Sequence, residues 1–328
     1  MAADMGGFPE GGTPLKQSAQ DGSVTLQAPT NGVVQRYANG PTVAQVITTP
    51  QGGLRLAIEG RLNGASVGSG SFDWQSAREL SSMCASGSYS VAIGNSQTVS
   101  NSYSAAFGQG NKITSTHGGA FGAGNDVLGT SGGFTAGSHC KVTQNWASAF
   151  GYYSSANASY SMAVGVAAKA TIMGQFALSG SFNLYDGEAQ ANLLSLHSIT
   201  TDATLKPLAV YNDVTARPVI PAYRLWNIMG LVSAFCQVTG TPNTYYARTW
   251  EIRATLKRDA SNNTTIVGTP TIVDLARDSD AGGITPSTWA VSTITADDTN
   301  ESLAINVIGQ DATTIRWQAS LFYSQVGF

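Results

Sequence analysis

Six glycines recur along the middle of the chain: Gly94, Gly108, Gly122, Gly137, Gly151 and Gly165, at spacings of 14, 14, 15, 14 and 14 residues. Each closes a short phrase of small residues, such as Ser-Val-Ala-Ile-Gly (90–94) and Ser-Ala-Ala-Phe-Gly (104–108). A fixed internal period marks a repeat architecture. Fourteen residues are too few for a helical repeat and fit one coil of a β-solenoid carrying two short strands. Stacked strands lie about 4.8 Å apart, so six such coils form a rod of roughly 30 Å. One coil is thin and buries little alone, so its neighbours must complete the burial.

The columns of the repeat carry the next expectations. One residue before each glycine stand Ile93, Phe107, Phe121, Ala136, Phe150 and Val164; five after it stand Val99, Ile113, Val127, Val142, Ala156 and Ala170. These two apolar stripes are expected to meet inside the coil. Side chains alternate along a strand, so the column Ala92, Ala106, Ala120, Thr135, Ala149 and Ala163 is expected to face outward. Small outward residues let another backbone approach, which assigns these alanines to an interface between subunits. Three chains about one axis satisfy a single repeated face, and the expected assembly is a homotrimer with the roll on the axis. The one-residue insertion between Gly122 and Gly137 is expected as a local bulge. A third column, five before each glycine, reads Tyr89, Tyr103, His117, Gly132, Trp146 and Tyr160. Stacked aromatics at this spacing suit either a ladder for sugar rings or a packed edge of the roll.

Composition narrows the function. The 328 residues are 42% hydrophobic and 11% charged, with a formal net charge of −3 and 37 glycines. Such a chain folds, favours β structure with many turns, and offers no basic surface for nucleic acid. The start, Met1 to Gln17, lacks a basic region followed by an apolar one, so no secretory signal is expected, and no apolar run reaches membrane-spanning length. The three cysteines, Cys84, Cys140 and Cys236, lie far apart without a CxxC pair and read as reduced, partly buried thiols. The three histidines show no metal spacing, so neither metal nor cofactor is expected. Glycoside hydrolysis usually needs two carboxylates flanking the bond. Between residues 80 and 185 the acid is Asp126 alone, and the pairs Asp278 with Asp280 and Asp297 with Asp298 read as turn formers or calcium ligands. The expectation is a protein that is not an enzyme.

The flanks differ from the repeat. Strand candidates at 23–28, 32–38, 42–49 and 54–62 are punctuated by Gly, Pro and Asn. After about residue 183 the period is lost and charge rises. Strand-like segments at 248–258, 264–277, 288–297, 302–309 and 314–326 suggest an antiparallel β-sandwich. The chain therefore reads as all-β in three parts: an N-terminal β-rich region (1–70), a parallel β-roll (71–182) and a C-terminal sandwich (183–328). Sugar sites join an aromatic platform to a few polar groups. In the last part the loop tips at Tyr245, Tyr246, Asp278 and Asp280 are contact candidates, alongside Trp226, Trp250 and Trp289, which serve equally well as core.

The phrases SVAIG (90–94), SAAFG (104–108), GGAFG (118–122), SAFG (148–151) and MAVG (162–165) resemble the head of YadA-like trimeric adhesins, a left-handed parallel β-roll. The segment 71–90, TTDAT (200–204), the stretches 248–282 and 288–319 and the closing SQVG (324–327) resemble a module of bacteriophage fibres and related virion proteins. Together the resemblances cover roughly residues 71–328. They imply a virion fibre, such as a tail fibre, that adheres to a host surface polysaccharide or lipopolysaccharide. Residues 1–70 would then bind other virion proteins. A capsid-mounted head fibre or decoration protein, mainly structural in role, is the alternative.

Overall fold

The computed structural model describes residues 67–327, except 76–79, 81, 181–185, 211–215 and 239–243, together with the backbone of five short strands before them. The chain divides into two compact units, Met1–Tyr153 and Ser154–Phe328.

In the first unit the repeat forms a parallel solenoid. Strands Val91–Asn95, Ala105–Gln109, Gly119–Ala123, Phe134–Ser138 and Ser148–Tyr152 stack with glycine on glycine. The two-residue strands Thr98–Val99, Lys112–Ile113, Asp126–Val127 and Lys141–Val142 form a second parallel ladder. The glycines hold the register because no other residue fits there. Gly122 has φ +112, and a Cβ on it would sit 2.0 Å from the carbonyl oxygen of Gly137 in the next coil. The extra residue falls in the turn before Ser131, which still bridges Thr116. The Asn145 side-chain oxygen accepts the N–H groups of Thr130 and Ser131 at 2.9 and 3.1 Å, and the columns resume in register.

The orientation of the columns is the reverse of the expected one. Ala92, Ala106, Ala120, Thr135 and Ala149 are fully buried inside a single chain, the first three of them in one cluster with Val99, Ile113 and Val127. Ala163 is equally buried in the second unit. The alanine positions therefore present nothing to a neighbouring subunit. The physical reason is the thinness of the coil. Its two strands face each other across a gap that holds one small and one branched side chain, and a Phe pair would overpack it. The larger column points outward instead: Phe107 stacks on Phe121 at 4.8 Å, and Phe121 is 41% exposed.

A second feature lies inside the coils. Gln75, Gln97, Asn111, Asn125 and Cys140 occupy one internal column and are buried. Each side-chain oxygen accepts the backbone N–H of the next member, at 2.5 Å (Gln75 to Gln97), 3.2 Å (Gln97 to Asn111), 3.0 Å (Asn111 to Asn125) and 2.8 Å (Asn125 to Cys140). The amide nitrogens of Asn111 and Asn125 donate to two carbonyls each, all at 3.0 Å. Backbone groups that turn corners inside a narrow coil lack ladder partners, and this column supplies them.

Before the solenoid, the strand backbones Ser23–Leu26, Val34–Tyr37, Ala44–Thr48 and Leu54–Ile58 fall where the sequence places them. The rest of the proposed attachment region lies outside the described residues.

The second unit opens with coils of the same repeat, pairing Ser155–Ala156 with Lys169–Ala170 and Met162–Val166 with Phe176–Ser179. Strand Phe176–Ser179 then pairs antiparallel with Ala189–Thr200, which changes the sheet from parallel to antiparallel. From there the order is Ala189–Thr200, Ile315–Gly327, Arg224–Gln237, Tyr245–Arg258 and Thr271–Arg277. A separate antiparallel sheet joins Leu205–Pro207, Ser302–Ile308 and Ala290–Asp297. Residues of both sheets share one core around Trp226, Trp250, Trp289 and Trp317, all at most 3% exposed. Their polar ends are satisfied where they are buried: the Trp226 ring N–H donates to Gln325 at 2.8 Å and that of Trp317 to Thr200 at 2.9 Å.

Candidate functional site

The aromatic column of the roll stands in the open. Tyr89, Tyr103, Trp146 and Tyr160 are 55–59% exposed, and His117 is exposed with them. All five adopt the left-handed conformation, with φ between 54 and 59. A bulky side chain pays for that conformation in steric strain, so the turn itself would favour glycine. Glycine does occupy the column at Gly132, where the Trp146 ring covers the vacant place: a Cβ there would lie 2.2 Å from the ring. Elsewhere ring stacking offsets the strain. Tyr89 and Tyr103 stack at 5.4 Å and 9°, and Tyr103 and His117 at 5.3 Å and 7°. The spacing of coils thus sets three exposed rings in one ladder. In the second unit Tyr160 borders a recess of about 320 Å³ with Met173, Ser195, His197 and Val210.

A second aromatic cluster has no counterpart among the columns of the repeat. His139 stacks on Tyr153 at 4.8 Å, and Tyr152 meets Tyr153 edge-on at 4.5 Å. Tyr152 and Tyr153 are 48% and 40% exposed. The column of Tyr152 otherwise reads Asn95, Gln109, Ala123, Ser138 and Val166, and that of His139 and Tyr153 reads Ser96, Gly110, Gly124 and Ala167, so no periodic aromatic signal marks the cluster.

The C-terminal candidates come together in part. A Cβ on Gly282 would stand 3.6 Å from the Tyr246 hydroxyl, which places the 278–283 turn beside the start of strand Tyr245–Arg258. Tyr245 is 45% exposed and stacks on Phe235 at 5.2 Å, whereas Tyr246 packs against the core. The carboxylates are occupied by their own turn. Asp278 accepts the Ala247 N–H at 2.8 Å, and Asp280 accepts both the backbone N–H and the hydroxyl of Ser287. The Ser287 hydroxyl, more than any other group, holds the Asp280 carboxyl below its usual pKa. The four tryptophans of this unit are core and offer no platform. In the roll, Asp126 lies in register between Lys112 and Lys141 of the adjacent coils. Among the described residues, no group of three or more His, Cys, Asp or Glu is placed to hold a metal.

No family model matches the chain, and no curated protein matches it. Among solved structures, the tailspike protein of Acinetobacter phage vB_ApiP_P1 is similar over 79% of this chain and 51% of its own, at 9% identity and a TM-score of 0.20. The chain thus spans about half the length of that tailspike.

Proposed function

We propose that the chain is a virion fibre of bacteriophage type that adheres to a saccharide on a cell surface through the aromatic ladder of its roll. The observation that carries this reading is the exposed stack of Tyr89, Tyr103 and His117 on a rigid repeat. Flat rings held in the open cover the apolar faces of sugars, and the roll fixes their spacing without an entropic cost at binding. The sequence resemblance to virion fibres and to YadA-like heads supports the same reading. In it, residues 1–70 attach the fibre to the particle, three chains assemble about one axis, and repeated weak sites give firm attachment. The ladder holds no carboxylate pair, so the reading is adhesion without cleavage.

The test is binding of the full chain to a printed array of bacterial surface saccharides, followed by titration of the best-bound sugar. Tyr103→Ala, which removes the middle ring, should weaken binding about tenfold or more while leaving the melting temperature within a few degrees. Sugar recovered after incubation should be of unchanged length. Unaltered binding by Tyr103→Ala and His117→Ala together would reject the ladder, and shortened sugar would reject a purely adhesive role.

A further inference from the structure

The large antiparallel sheet of the second unit has one face on the core and one face open. The open face is unlike a solvated sheet. Its three adjacent strands, Ala189–Thr200, Arg224–Gln237 and Ile315–Gly327, contain no Asp, Glu or Lys, and their two arginines, Arg224 and Arg316, stand at the first and second strand positions. An antiparallel sheet with one face in water normally carries polar and charged side chains there. Here Leu193, Phe322 and Met229 form one cross-strand row, at 50%, 45% and 48% exposure. Leu231 stands beside them at 50%, and Val273 and Leu275 on the outermost strand at 44% and 49%. The row borders a shallow depression of about 760 Å³ that Phe176 lines on one side and the Glu251–Arg253 pair on the other.

We infer that this face is where copies of the chain meet. The inference rests on the homo-oligomer in the reading above and names its contact surface. Two features select a second copy as occupant. Five strands at about 4.8 Å and ten residue rows at about 3.3 Å give a face of roughly 800 Å², which is what one partner contributes to a standard stable interface. The middle of the face is uncharged, Arg224 and Arg316 standing at strand starts, and on the next strand Arg253 pairs with Glu251 at 2.7 Å, so identical faces meet there with charges already matched; the serines between the apolar residues leave room for an opposing side chain. Independently, the first unit exposes an apolar row of its own, where Phe121 and Phe150 flank Phe134 at 5.6 and 5.7 Å.

The experiment is the mass of the full chain in solution by light scattering over a dilution series. The wild type should exceed one chain. Leu193→Glu should raise the dissociation constant about thirtyfold or more, since its cross-strand neighbours Phe176 and Phe322 leave the carboxylate unpaired in the contact. Ser320→Glu, a small exposed position whose change costs the core nothing, should do the same with an unchanged melting curve of the dissociated chain. Ser261→Glu, in an exposed turn, should leave the mass as in the wild type. An oligomer that withstands both face variants overturns the inference while leaving homo-oligomerisation standing. A wild type that is one chain at every concentration overturns both, and saccharide binding is read separately from either.

Discussion

The buried asparagine column is the residue-scale device on which the solenoid depends. Asn125 is fully buried and accounts for three side-chain hydrogen bonds, to Phe121, Gly137 and Cys140. Asn125→Ala should therefore destabilise the first unit by about 2–4 kcal/mol, because the Cys140 N–H and two carbonyls lose their partner where water cannot replace it. Chemical denaturation followed by circular dichroism measures this; a loss below about 1 kcal/mol would mean that water enters the coil. Cys140 is the weak member of the column. Its thiol faces the carbonyl oxygens of Gly151 at 3.3 Å and Ala136 at 3.9 Å, longer than the 3.0 Å contacts of the asparagines above it. Cys140→Asn should raise the melting temperature by a few degrees, since an amide donates where a thiol does so poorly. This column was not legible in the sequence, because polar residues next to turns read as loop. The swapped apolar columns have a related cause. Period-2 alternation separates two faces without saying which is inside, and the larger residues were assigned to the interior. The deciding quantity is the gap between the two strands of a coil, which takes a small residue, Ala or Thr135, against a residue no larger than Val or Ile.

At the scale of elements, charge and turn signals made some strands visible and hid others. Segments 248–258, 288–297, 302–309 and 314–326 were legible because turn clusters bracket them, and strands Tyr245–Arg258, Ala290–Asp297, Ser302–Ile308 and Ile315–Gly327 stand there. Expected as one segment, 264–277 is two strands, Thr264–Ile266 and Thr271–Arg277, parted at Gly268 and Pro270. Ala189–Thr200 and Arg224–Gln237 went unassigned although they are among the longest strands. Their open faces carry Leu193, Ile199, Met229, Leu231 and Phe235 among the polar residues, which blurs the alternation in the sequence. The same silence marks the face proposed for assembly. One side chain ties these elements together. Arg248 donates to the carbonyls of Pro286, Ser287 and Trp289, pairs with Asp274 at 2.7 Å and stacks over Trp250 at 4.9 Å. The Asp274 carboxylate is well exposed, so solvent screens that pair, and the carbonyl contacts carry most of the effect. Arg248→Lys should cost about 2 kcal/mol, because an ammonium cannot keep the fork of donors and the flat stack together. Thermal unfolding followed by tryptophan fluorescence reports it, and a lysine variant as stable as the wild type would show that charge alone suffices.

The two units differ as whole bodies in how they depend on carboxylates. In the second unit Asp202, Asp259, Asp274, Asp280 and Asp297 all have pKa values held below normal. The leading causes are hydrogen bonds from Thr204, Asn263, Arg248, Ser287 and Asn300 in turn. A carboxyl with a depressed folded pKa contributes stability above its unfolded value, near 3.9, and loses it as pH falls through the folded value. These groups are largely exposed, so each contributes little, but they share one body and are lost over one pH range. The solenoid of the first unit is held by amide and backbone hydrogen bonds that do not titrate, and from residue 80 to its end it contains one acid, Asp126. Acid should therefore loosen the second unit first, beginning below about pH 4, while the solenoid stays folded. Trp226, Trp250, Trp289 and Trp317 are buried in the second unit, and Trp74 and Trp146 stand exposed in the first. Replacing Trp74 and Trp146 with Phe leaves fluorescence that reports the second unit alone. Its emission should shift to the red in acid, while pepsin at about pH 3 should leave a resistant fragment containing residues 91–152. Simultaneous digestion of both units would show that the solenoid does not hold without the sheet that follows it.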